Sequence, residues 1–240
     1  MRIPLAVLFI LISASFAAAH GEEVEASSRL FGLEPLNVIY IASLLIFAVT
    51  LIALAFPSHL NDWEKKIAFL VIALSTVFAT VYVVADTAYL NLASESKGPV
   101  HWHADMKITI CGEVQSLPSP SSWLDNKVGT NVLHHHNEGA EQLREGLYRI
   151  HVEGVVKKLH DVELAKFFEA IGGYLAEDSV GIPTAHGGIK AWTNGELCPD
   201  GHAGTLKVFV NGEPNDEFGE YVIAPYSTVP PGDFIELVFD

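Results

Sequence analysis

The stretch "VHWHADMKITIC", residues 100–111, alternates without a break. Val100, Trp102, Ala104, Met106, Ile108 and Ile110 fall on one side, and His101, His103, Asp105, Lys107 and Thr109 on the other. Successive side chains of a strand point to opposite faces, so the pattern describes a strand with an apolar face on a core and a polar face outside. Residues two apart on a strand point the same way, with Cα atoms about 6.5–7 Å apart. The imidazoles of His101 and His103 can therefore converge on one ion, with Asp105 next along the same face.

The surrounding sequence extends this pattern. "YRIHVEG", residues 148–154, reads as a second strand with His151 and Glu153 on one face and Ile150 and Val152 on the other. "LHHHNEG", residues 133–139, repeats the spacing as His134-x-His136, in a segment that fits a strand or a loop. "LKVFVNGEPNDEFGEYVIA", residues 206–224, predicts two strands about an Asn211–Gly212 turn. "DFIELVF", residues 233–239, predicts a last strand. One helix is predicted in "DVELAKFFEAIGG", residues 161–173, with Asp161 as N-cap. Its apolar stripe is Leu164, Phe167, Phe168 and Ile171, and Gly172 and Gly173 end it. Residues 95–240 therefore predict an α+β domain: a mostly antiparallel sheet with one packed helix.

The chain before this domain has another character. Half of the 240 residues are hydrophobic, yet the net charge is −15, a combination that separates into membrane segments and an acidic domain. Residues 36–56 and 67–85 carry no charge, and each is about the length needed to cross the hydrocarbon core as a helix. Residues 36–94 thus predict a two-helix transmembrane hairpin. Its short connection holds Lys65 and Lys66, and the preceding flank, residues 20–35, is acidic. The positive-inside rule then places the connection in the cytoplasm and the C-terminal domain outside, making a two-pass protein of the cell membrane. Residues 1–19 have Arg2, an apolar run and then Ala17, Ala18 and Ala19, the layout of a signal peptide. An uncleaved anchor is the alternative.

Cleavage after Ala19 would leave His20 as the N-terminus, offering its amine and ring nitrogen to one metal. The two cysteines, Cys111 and Cys198, predict one disulfide outside the cytoplasm. Cys111 is eight residues beyond His103, about 26 Å along a strand, which removes it from any shared ligand set.

Pairing of these strands would gather His101, His103, His134, His136 and His151 with Asp105 and Glu153. Such a nitrogen-rich, thiolate-free set suits zinc, copper(II), iron(II) or nickel, with copper or zinc favoured as the cofactor. Asp105 and Glu153 are direct ligands or acceptors that orient an imidazole. The competing assignment is a solvated, pH-sensitive histidine face. His160, His186 and His202 lie apart from the alternating segments and read as surface or structural residues.

The order "HWHAD…CGE", "LHHHNEG", "YRIHVEG", a helix with "FF", "CPDG", "VFVNGE" and "PPGD" resembles a family of uncharacterised extracytoplasmic proteins with membrane-anchored archaeal members. The resemblance covers nearly all of residues 98–240. It implies a single domain with His101, His103, His134, His136, His151 and Glu153 as a shared site, and it supplies no reaction. His135 and the insertion "AEQLREGLY" depart from the tighter family spacing, leaving open which of the three consecutive histidines face the site.

Other chemistries find little support. There is no G-x-S-x-G, no Walker glycine pattern and no H-E-x-x-H. The dispersed acidic charge disfavours nucleic acid as a partner. Three function classes remain: a membrane-anchored metal-binding protein for storage, delivery or sensing, a metal-dependent enzyme, and an interaction domain of a membrane complex. On the enzyme assignment, Glu153 and Glu138 are the candidate general bases. The implied partners are the lipid bilayer and, for the last class, a membrane protein complex.

Overall fold

The computed structural model describes residues 29–120, 126–136, 146–185, 187–223 and 232–240. The signal-peptide segment, His20, Glu138 and His186 lie outside the described residues. The chain forms two compact units, residues 1–87 and 88–240.

Two long helices dominate the first part of the chain. Helix α1 spans Pro35–Ala55, with its proline in the first turn, where the missing N–H has no partner to lose. Helix α2 spans Asp62–Ala93. It opens with a reciprocal cap: Glu64 N–H donates to Asn61 Oδ1 at 3.0 Å, and Asn61 N–H donates to Glu64 Oε2 at 2.8 Å. The uncharged run of residues 67–85 lies within α2, which begins before it with the good helix formers Glu64, Lys65 and Lys66 and continues past it to Ala93. Both helices are long and apolar enough to cross a membrane. Large apolar side chains face outward along them, among them Phe47, Leu54, Phe69 and Phe78. Such a continuous apolar surface is costly in water and suits lipid.

A polar knot fastens the segment preceding α1. Asp86, almost fully buried, accepts from Arg29 Nη1 at 3.0 Å and from the Leu30 N–H at 2.9 Å. The Tyr82 hydroxyl lies 2.6 Å from the carbonyl oxygens of both Leu30 and Leu33. These bonds satisfy groups that would otherwise be stranded without water.

In the second unit the described strands are β1 (Pro99–Ile110), β2 (Glu113–Val114), β3 (Lys127–Gly129), β4 (Leu133–His136) and β5 (Leu147–Val155), then β6 (Tyr174–Leu175), β7 (Ser179–Pro183) and β8 (Ile189–Thr193), and finally β9 (Leu206–Val210), β10 (Glu213–Pro214) and β11 (Asp233–Phe239). The main sheet runs β10-β9-β11-β1-β5-β4-β3, with β2 on β1, and β6-β7-β8 form a small second sheet. All pairings are antiparallel except β1 with β11. The α+β architecture agrees with the expectation.

The alternation of residues 100–111 is realised in β1. Ala104, Met106, Ile108 and Ile110 are buried, and they join Ile150, Val152, Ile235 and Leu237 from neighbouring strands in one core. Helix α3, Leu164–Ala170, seals that core with Leu164, Phe167 and Phe168, all fully buried. Its N-cap is Glu163, not Asp161. Asp161 belongs to a separate 3-10 turn over Leu159–Val162, where its Oδ2 accepts from the Lys158 N–H. The extended backbone of Glu163 divides the two turns. Asn211 and Gly212 both have positive φ, the turn geometry that matches the twist of the β9–β10 hairpin. Cys111 and Cys198 form a disulfide with their Cα atoms 5.6 Å apart, joining the end of β1 to the segment between β8 and β9.

Candidate metal centre

The histidines come together because β1, β5 and β4 are consecutive in the sheet. His103 pairs with His151, and His151 pairs with His134, forming a row across three strands. His101 pairs with Glu153 one step along. Directly opposed residues in antiparallel strands have Cβ atoms about 4.5–5.5 Å apart, so register alone puts these groups in reach of one another.

Six side chains supply two sets of potential ligand atoms. His101, His103 and His151 form one, and His134, His136 and Glu153 the other, with the ligand atoms of each set within 4.8 Å of one another. Nε2 of His101 lies 2.9 Å from Nε2 of His103, and Nε2 of His134 lies 3.2 Å from Nε2 of His136. Glu153 joins the sets: Oε1 is 3.0 Å from His101 Nε2 and 3.7 Å from His151 Nδ1, while Oε2 is 3.9 Å from His134 Nε2. These groups could hold a metal ion.

The spacings suit coordination. With metal–nitrogen bonds of about 2.0–2.1 Å, two ligand nitrogens sit about 2.9 Å apart at a right angle and about 3.3 Å apart at the tetrahedral angle. Both Nε2 pairs fall in or beside that range. One tautomer is also set by the fold. Nδ1 of His136 lies 2.5 Å from the carbonyl oxygen of Asn126, so Nδ1 carries the proton and the Nε2 lone pair faces the cluster.

Protonation favours ligation too. Burial, reinforced by the neighbouring His136, lowers the pKa of His134 to about 4. Burial also lowers His103, with His151 and His101 adding to the effect. Both rings are therefore neutral at pH 7, the state a metal requires. His134 is 1% exposed, and its Nδ1 has no hydrogen-bond partner among the described residues, while its Nε2 faces His136 in the cluster. Gly232, just before β11, lies close against the β1 backbone: a Cβ there would overlap the His103 carbonyl, and its φ of +140° is one that other residues rarely adopt.

Asp105 has a different place from its neighbours on β1. Arg149, directly opposite on β5, donates to both of its oxygens at 2.8 and 3.1 Å. The structure thus brings His101, His103, His134, His136, His151 and Glu153 together and leaves Asp105 in an ion pair beside them. The middle histidine of the triplet, His135, turns to the core, with its ring 5.5 Å from Tyr148 and 6.2 Å from Phe167. His160 and His202 lie apart, each beside its own carboxylate, Glu163 and Asp200.

Two contributors escaped the sequence reading. Arg149 was within reach of it, since it shares the parity of His151 and Glu153 and so faces the polar row. Asn126 left no such signal, because its carbonyl acts through the β3–β4 pairing, which the sequence does not reveal.

No protein-family model, curated protein or solved structure matches the chain.

Proposed function

We propose that the protein is a membrane-anchored extracytoplasmic binder of a transition metal, copper or zinc, serving storage, delivery or sensing. The observation that carries this is the convergence of five imidazoles and one carboxylate from three adjacent strands, with the lone pair of His136 turned into the cluster. Neutral imidazoles in a thiolate-free set are ligands for these metals. The outer location is supported by the two apolar helices, by Lys65 and Lys66 at the start of α2 beside the short connection, and by the disulfide. The motif order supports kinship with the membrane-anchored archaeal family named above.

A metal-dependent enzyme is the second assignment. One observation favours it: the His101 side chain is 60% exposed and that of Glu153 41%, so one edge of the cluster is open to solvent. Catalytic metals keep such an open position. Binding of azide or cyanide to the copper-loaded protein, read from its visible spectrum, would support this second assignment.

Metal analysis of the full chain purified in detergent tests the proposal. The wild type should hold stoichiometric copper or zinc after loading and desalting. His101→Ala and His151→Ala should each lower the retained metal to half of the wild-type content or less, as expected when a ligand is lost from a converging set. Equal content in all three proteins would remove the site.

A further inference from the structure

We propose that the cluster is a dinuclear centre, in which the two carboxylate oxygens of Glu153 bridge a pair of transition-metal ions. This rests on the metal-binding function proposed above and deepens it. The first ground is the division of the donors. The His101–His103 pair and the His134–His136 pair lie on β1 and β4, the two strands flanking β5. Each pair has its own Nε2–Nε2 edge, at 2.9 and 3.2 Å, the width of one coordination polyhedron. His151 stands between them, its ring centroid 4.6 Å from His103 and 4.7 Å from His136.

The second ground is the carboxylate. Oε1 of Glu153 faces the first set, at 3.0 Å from His101 and 3.7 Å from His151, and Oε2 faces His134 of the second set at 3.9 Å. A carboxylate spanning two ions in this way matches two-metal sites, whose ions lie about 3.5–4 Å apart. One zinc ion takes four ligands in its usual structural sites, and six convergent donors exceed that number. Two ions sharing Glu153 use all of them.

The third ground is charge. Two cations at this distance repel, and a cationic side chain beside them would add to the repulsion. On the polar row Asp105 neutralises Arg149 with two hydrogen bonds, and Lys127, paired with His136 across β3 and β4, donates its ammonium to Asn131 Oδ1. The bridging Glu153 and the net charge of −15 also favour cations here. The buried His134, with Nε2 turned into the cluster, contributes a ring whose other nitrogen has no hydrogen-bond partner among the described residues.

The test loads the full chain in detergent with Cu(II), removes excess by desalting and compares total copper with the electron paramagnetic resonance intensity. Two copper ions per chain are expected, with a spin intensity well below the copper content because bridged Cu(II) ions couple. Glu153→Gln should restore intensity to the full copper content. His134→Ala/His136→Ala should leave one copper per chain with a full, uncoupled signal, which keeps the test open should the glutamine variant fold poorly. One copper per wild-type chain, or two with full uncoupled intensity, would overturn the dinuclear centre while leaving metal binding intact. No copper retained by the wild type would overturn both.

Discussion

Replacing Cys111 and Cys198 together by alanine will lower the stability of the β unit by about 4 kcal/mol. The disulfide closes a loop across a sequence separation of 87 residues, and constraining a loop of that size in the unfolded chain is worth about 4–5 kcal/mol on the chain-entropy model. The bond also fixes two parts of the fold that share no ladder. Cys111 follows β1, the strand that carries His101 and His103, and Cys198 lies in the segment leading to β9. Urea unfolding followed by tryptophan fluorescence should show a midpoint lowered by about 2 M, given a slope of about 2 kcal/mol/M. An unchanged midpoint would mean that the bridge adds nothing to the closure already supplied by the β1–β11 pairing.

The second large effect is a dependence on pH in the metal-free protein. A histidine in the unfolded chain takes up a proton near pH 6.5, whereas burial holds folded His134 at about 4. Between those values the unfolded chain binds the extra proton, so stability falls as pH drops from about 6.5 to about 4. Above that window both states have a neutral ring, and below it both are protonated. The full loss from this group is of order 3 kcal/mol. Urea midpoints at pH 7.5, 5.5 and 4.5 should fall in that order, and His134→Gln should flatten the trend. An equal slope in the variant would assign the effect to other groups. Bound metal adds to the dependence, because each ligating imidazole must shed its proton.

The sequence made the two central strands of the site legible and left the third open. Period two in residues 100–111 decides both the core face and the row of His101 and His103, and β1 adopts it throughout. The same rule pairs His151 with Glu153, because Ile150 and Val152 must face the core. In residues 134–136 three consecutive histidines give no parity of their own. Only the pairing of β4 with β5 decides that His134 joins the row and His135 packs against Tyr148 and Phe167.

Long-range pairing was hidden for a related reason. The parallel match of β1 with β11 joins the two ends of the β unit, and no local pattern specifies a partner that far along the chain. The small β6-β7-β8 sheet was also illegible, since its strands are short, β7 is interrupted by Gly181, and none sustains an alternation. The helix stripe was plain, but its start was not. Asp161 has the right chemistry for a cap, yet the backbone becomes extended at Glu163 and restarts the helix there. Asp105 illustrates the limit of counting ligand types. Its parity is that of His101 and His103, but an arginine directly across the ladder takes both of its oxygens.

The central claim is that imidazoles from β1, β4 and β5 ligate a common metal centre, and X-ray absorption at the metal edge of the loaded full chain tests it most directly. The account predicts a first shell of nitrogen and oxygen at about 2.0–2.1 Å for zinc, together with outer-shell scattering from several imidazole rings that weakens in His151→Ala. A first shell without imidazole scattering, or a spectrum that His151→Ala leaves unchanged, would contradict it.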